Sequence, residues 1–183
     1  MPWQATVYRI LISSPSDIDS ELKVIREVIH SWNAANSLKY GAILEPVFWQ
    51  THATLEMGDR PQATVNKQLV DSCDVLIGIF KTRISAPKGR AESCTVEEVE
   101  EFRKAGKRVL LYFSLVPVGP GNIDATQYQR LVEFKKKSEK EGLVVEYDSI
   151  SSFQEQLQKH ITWTVNSIHK VSGAGSQKAV ERQ

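Results

Sequence analysis

Short apolar runs alternate along the chain with longer stretches whose apolar residues recur at helical spacing. Residues 6–13 (TVYRILIS) predict a strand. The polar cluster Ser14-Pro15-Ser16-Asp17 follows, and then a helix with Ile18, Leu22, Ile25, Val28, Ile29 and Trp32 on one face. Ser16 or Asp17 is its expected N-cap, because either side-chain oxygen can accept an unpaired N–H of the first turn. A second strand is predicted at 42–49, a loop at 50–60, and a helix from Pro61 to Ser72, proline being suited to a first turn. Residues 74–80 (DVLIGIF) are apolar almost throughout, as in a strand covered on both faces. A loop at 81–93 precedes a helix that turns Val96, Val99 and Phe102 inward and stops at Gly106. A fourth strand at 108–114, a Pro- and Gly-rich loop at 115–124, a charged helix at 125–141 and a short strand at 143–147 come next. The last helix, 150–171, carries Phe153, Leu157, Ile161, Val165 and Ile168 at helical spacing.

Strand and helix thus alternate five times, which calls for right-handed βαβ units. The expected fold is α/β: a single doubly wound domain over residues 1–171, with a five-stranded parallel sheet and helices on both faces. Residues 172–183, small and polar, are expected to be a flexible tail or linker. The 183 residues are 41% hydrophobic and 25% charged, values that support a substantial core without staples. A formal charge of +1 speaks against a nucleic-acid partner held by bulk electrostatics. No apolar run is long enough to span a bilayer, and the first residues lack a signal-like apolar stretch, so a cytoplasmic location is expected. Two cysteines, Cys73 and Cys94, build no disulfide framework, and no ligand spacing suggests a metal.

Ligands of open parallel sheets bind beyond the carboxyl ends of the strands. That directs attention to the loops at 13–17, 80–93 and 114–124. None carries GxGxxG, GxxxxGK[ST] or GxSxG, so dinucleotide-fold dehydrogenase, P-loop and α/β-hydrolase chemistries lack their residues. What remains is residues 92–102, ESCTVEEVEEF. Ser93 and Thr95 are both suitable N-caps, and Glu97 and Glu98 fall in the first helical turn near the positive end of the dipole. On pattern alone, these acids either complement the dipole or serve a site.

The segments ISSPSD, RPQATVNKQLVDSCDVLIGIF and ESCTVEEVEEFRKAGKRVLLYF together resemble the DUF4062 family, a TIR-like group related in fold to nucleoside 2-deoxyribosyltransferases. The resemblance spans residues 8–147. Its most specific element is Ser-Gly-Thr-x-x-Glu before an apolar residue, then a helix and Gly-Lys-x-Val. Here that reads Ser93-Cys94-Thr95-Val96-Glu97-Glu98-Val99 and Gly106-Lys107-Arg108-Val109, with Cys94 in place of the glycine. The resemblance makes Glu98 the catalytic position; a Cys-x-x-Glu count selects Glu97 instead. Val99, matching the apolar residue behind the family's glutamate, favours Glu98.

The resemblance implies an N-glycosidase that cleaves the nicotinamide–ribose bond of NAD or a related nucleotide, by hydrolysis or cyclisation, as a defence or signalling effector. NAD is then the substrate and no cofactor is required. The alternatives are a catalytically silent nucleotide sensor or adaptor, and a nucleoside deoxyribosyltransferase or hydrolase. A homo-oligomer or partner domain is also implied, with no membrane and no nucleic acid. For substrate binding, Ser93 and Thr95 are candidates together with Ser13, Ser14 and Asp17, which stand in the first β–α loop, where they hold phosphate or ribose or simply cap the helix. Arg83 is placed to pair with a phosphate or to face solvent. Phe48 and Trp49 either stack on a base or close the core. Gln62 stands in a family-like Pro-Gln pair. Tyr112 and Cys73 are expected to be packed, the four histidines to be ordinary, and Lys135-Lys136-Lys137 to be the wet face of its helix.

Overall fold

The structure, a computed structural model, describes residues 2–15, 17–48, 70–84, 95–141 and 144–180, with the side chains of the last helix described as far as residue 168. The elements run β1 (Thr6–Ser13), α1 (Asp19–Tyr40), β2 (Ala42–Phe48), β3 (Val75–Phe80), α2 (Thr95–Lys104), β4 (Arg108–Ser114), α3 (Ala125–Glu141), β5 (Val144–Tyr147) and α4 (Ile150–Val180). A 3-10 turn at Pro120–Asn122 precedes α3. All five strands are parallel, in the order β2-β1-β3-β4-β5. This is the flavodoxin-like doubly wound arrangement. Trp49, Gln62, Ser93 and Cys94, with residues 61–69 of the helix predicted over 61–72, lie outside the described residues, and 70–72 are helical as expected.

Alternation along the strands fills two cores, because successive side chains point to opposite faces. Ile10, Ile12, Val75, Ile77, Leu110 and Tyr112 meet α1 and α4 on one side. Leu11, Leu76, Phe80, Leu111 and Phe113 meet α2 and α3 on the other. There Phe80 stacks on Phe113 with centroids 5.0 Å apart, and Phe134 closes the cluster. Cys73 is packed in this second core, where burial pushes its thiol up from the ordinary range. Phe48 joins the first core, with the Arg26 guanidinium 4.3 Å from its ring centroid.

The predicted side-chain cap of α1 is corrected. The N-cap is Ile18, which makes no side-chain cap bond. Asp17 is drawn away to the loop after β3, and Ser16 lies outside the described residues. The helix α2 ends where expected: Gly106, at φ +67°, adopts the left-handed conformation that glycine accepts without strain. Its N–H donates to the Arg103 carbonyl, and the Lys107 N–H donates to the Phe102 carbonyl. The last helix is longer than the apolar spacing indicates. Its backbone continues to Val180 through the stretch read as a tail, since no proline interrupts it and its glycines weaken a helix without forbidding one.

One buried polar pair escapes any periodicity argument. Glu21, on α1, is 1% exposed; its Oε1 accepts a 2.8 Å hydrogen bond from the Tyr147 hydroxyl and its Oε2 has no partner among the described residues. Burial raises the Tyr147 phenol above its ordinary range, so it remains a donor. Tyr147→Phe strips the carboxylate of its described donor and is expected to cost about 2–3 kcal/mol. The double variant Tyr147→Phe/Glu21→Leu should recover part of that in thermal unfolding. Equal melting of Tyr147→Phe and wild type would mean that the bond contributes nothing. At the outer edge, β2 carries Pro46 opposite Ile10 of β1, a residue without an N–H in the kind of strand that tolerates one.

Candidate functional site

The carboxyl ends of β1 and β3 meet the first turns of α1 and α2 at one edge of the sheet. Ser13 is the last residue of β1, paired in register with Gly78 of β3, and is buried. Strand alternation sends it to the same side as Leu11, toward α2. There its hydroxyl donates to Oε2 of Glu98. The inward stripe of α2 is Thr95, Glu98, Val99 and Phe102, the i, i+3, i+4, i+7 set of a helix face. Glu98 is therefore 1% exposed, whereas Glu97 faces solvent. Val96 is half-buried and packs against the margin of the second core.

Among the described residues, Glu98 Oε1 has no hydrogen-bond partner. Burial pushes this carboxyl above its ordinary range; the Ser13 hydroxyl works against that and the Glu97 charge adds to it. A buried carboxylate with one oxygen fixed and the other unpaired can accept from a donor that reaches it, such as a sugar hydroxyl, and such a donor would favour its charged form.

Asp17 stands at the same edge as a clamp. Its Oδ2 accepts the Thr82 N–H at 3.2 Å and the Thr82 hydroxyl at 2.5 Å, and lies 3.9 Å from Arg83 Nε. The structure thus brings Asp17 and Arg83 together and joins Ser13 to Glu98. Arg83 is neither free nor simply solvated, because its charge leans on Asp17. Asp17 Oδ1 is left without a partner among the described residues. Ser14 is half-buried and takes no part in these bonds, while Thr95 is the buried first residue of α2. Thr82 was not legible as a site residue. Its hydroxyl next to a strand end is the only sign of it, and many loop threonines share that position.

The model of the family described as "Domain of unknown function (DUF4062)" matches residues 9–162. The chain belongs to the DUF4062 family. No curated protein matches. Among solved structures, translation elongation factor SelB from Methanococcus maripaludis, in its apo form, shares 10% identity at a TM-score of 0.45, over 90% of this chain and 36% of that one. The chain therefore spans about a third of that relative's length. A conserved protein from Enterococcus faecalis V583 shares 12% identity at a TM-score of 0.44, over 85% of this chain and 99% of that one. Homoserine dehydrogenase from S. aureus, at pH 7.0, shares 10% at 0.37, over 79% and 33%. Likeness of this degree bears on no function.

Among the described residues, no helix is long and apolar enough to cross a membrane, and no group of three His, Cys, Asp or Glu side chains is placed to hold a metal ion. Of the other sequence candidates in this DUF4062 chain, Tyr112 is buried with its hydroxyl 2.8 Å from Nδ1 of His160. Burial holds the Tyr112 phenol above its ordinary range, and burial together with the Lys159 charge lowers His160. The pair sits against Phe153 on the α4 side, a packing role as expected.

Proposed function

We propose that this protein is an N-glycosidase acting on NAD or a related nucleotide, with Glu98 as the carboxylate beside the anomeric carbon. One observation carries the reading: a buried first-turn glutamate, anchored through one oxygen by Ser13, leaves its other oxygen without a hydrogen-bond partner among the described residues, at the end of a doubly wound sheet where ligands of such folds bind. The likeness of residues 93–99 and 106–109 to the TIR and deoxyribosyltransferase pattern supplies the substrate class. In NAD the nicotinamide nitrogen carries positive charge while bound to ribose. When the C–N bond breaks, the electron pair goes to that ring and nicotinamide leaves neutral, so no acid is needed. The ribosyl fragment develops oxocarbenium character, which Glu98 stabilises or captures. Water then adds at the same carbon and loses a proton, or an internal nucleophile closes a cyclic product.

Ser13 is a positioning residue, holding Oε2 so that Oε1 meets the sugar. Asp17 fixes the loop after β3 that borders it. Self-association belongs to the same proposal, as does an effector role, both resting on the family resemblance. The test is chromatographic detection of nicotinamide release from NAD at micromolar protein, with deoxynucleosides as parallel substrates. Nicotinamide release supports the reading, and its product, linear or cyclic, tells hydrolysis from cyclisation. Loss of base from deoxynucleosides alone moves the assignment to a deoxyribosyltransferase or hydrolase. No turnover of either class leaves the sensor or adaptor reading in its place.

A further inference from the structure

An opening lies on the same edge of the sheet, on the far side of β3. A cavity of about 190 Å³ separates the ends of β3 and β4 from α3. Phe80 and Phe113 line it from the sheet, and Ser114 ends β4 beside them. Tyr128, Lys135 and Lys136 line it from α3, spaced seven and eight residues apart on one helix face. Leu115 and Tyr128 are 54% and 46% exposed, so the wall carries unusually apolar surface for a wet edge.

The charges at this cavity are unequal in their freedom. Lys135 is engaged by Glu146 and lies 4.0 Å from Glu139, itself a lining residue. Lys81 and Lys136 have no acidic partner among the described residues, whereas the next lysine, Lys137, turns away to Glu100 at 2.7 Å. The run read as a uniformly wet face is thus divided three ways: Lys135 paired, Lys137 paired elsewhere, Lys136 over a cavity. Lys81 is also the residue before Thr82, which Asp17 holds. One short turn therefore shows a lysine to this cavity and ties its next two residues toward the Asp17 side. Across the strand order β1-β3-β4 the two strand ends lie two strand spacings apart, about 10 Å, and Ser114 stands three residues further along its strand than the position level with Ser13.

We propose that this cavity is a phosphate subsite for a nucleotide. Lys81 and Lys136 are its cationic ligands, and Leu115 and Tyr128 form an apolar flank for a sugar or base. The placement of the ribose toward Glu98 rests on the glycosidase reading; recognition of the phosphate does not.

Isothermal titration calorimetry with ADP and adenosine tests this on wild type, Glu98→Gln, Lys137→Ala and the double variant Lys81→Ala/Lys136→Ala. Wild type is expected to bind ADP at least about tenfold more tightly than adenosine, the worth of one charge-assisted hydrogen bond. The double variant should lose about a hundredfold in ADP affinity on the same scale while adenosine affinity stays put. Lys137→Ala removes a like charge from the same helix without touching the cavity, and should stay within about twofold of wild type. Equal binding of ADP and adenosine, no binding of ADP, or an ADP affinity indifferent to both cavity lysines would each overturn the proposal. The two readings fail separately. Lysine-dependent ADP binding without NAD cleavage retires the glycosidase and keeps the subsite; cleavage with lysine-independent ADP binding does the reverse.

Discussion

Glu98→Gln is expected to lower nicotinamide release by about a thousandfold or more, the scale of losing a group that stabilises charge only in the transition state. Glu97→Gln should keep wild-type turnover within about threefold, because its side chain faces solvent and meets the site only as a nearby charge. The same Glu98→Gln variant should be more stable than wild type near neutral pH, by about 1 kcal/mol or roughly 2–4 °C in Tm, as when a buried functional charge is neutralised. The pH dependence has a definite sign. Burial holds the folded-state Glu98 carboxyl above its unfolded value. Below both values it is protonated in both states and contributes no difference, so the two proteins should melt together near about pH 4. As pH rises through the unfolded value toward the folded one, the unfolded chain gives up its proton first and the wild type loses stability against the variant. The gap opens across that window and stays constant above it. Catalysis runs the other way: kcat/KM should fall on the acid side as Glu98 takes up its proton, at a pH above the ordinary carboxylate range. Thermal scans and rate profiles over the same buffers check both. A variant that melts with wild type at every pH would mean that burial of the charge costs the fold nothing.

Lys107→Met should produce the largest purely structural loss. The Lys107 ammonium donates to three backbone carbonyls at once, those of Val70 at 2.6 Å, Asp71 at 3.2 Å and Cys73 at 2.7 Å. It thereby satisfies the end of the helical turn at 70–72 and the chain's entry into β3, while Gly106 before it supplies the left-handed turn that aims it there. Methionine fills similar space and offers no donor, leaving those carbonyls short at a cost of about 2–4 kcal/mol. For a chain of this size that is some 5–15 °C in Tm. Lys107→Arg keeps the charge, but its planar fork is poorly shaped for three converging carbonyls, so it should fall between the two. Melting of Lys107→Met with wild type would show the carbonyls to be adequately hydrated without it. The Gly-Lys pair that marks the family resemblance is in this light a structural device, separate from any chemistry at Glu98.

The sheet was readable because both of its faces are covered. Strands such as residues 75–80 and 108–114 are apolar at nearly every position, and no helical spacing competes with them. Burial of Glu98 was readable too, in the 95, 98, 99, 102 spacing, though Val96 obscured it by looking like a core residue. Long-range polar choices left no local trace. Asp17 has the residue type and place of an N-cap, and only the arrival of Thr82, 65 residues later, takes it elsewhere. Glu21 sits among charged neighbours in a first turn, and only Tyr147, 126 residues away, accounts for its burial. The three adjacent lysines are alike in sequence; the separate carboxylates of Glu146 and Glu100, and the cavity between them, make them different.

The two margins of the sheet have a consequence for how copies of this protein can meet. An exposed strand margin is a template on which another chain can extend the ladder. Here one margin, β2, has Pro46 at its middle and lacks a donor there, and the other, β5, is four residues long and carries the charged Glu146. Among the described residues, neither offers a long, regular row of free backbone groups. A continuous intermolecular sheet is thus discouraged at both ends, which guards a Val- and Ile-rich fold against edge-to-edge aggregation. Any specific assembly of copies has to be made with helix faces and loops instead.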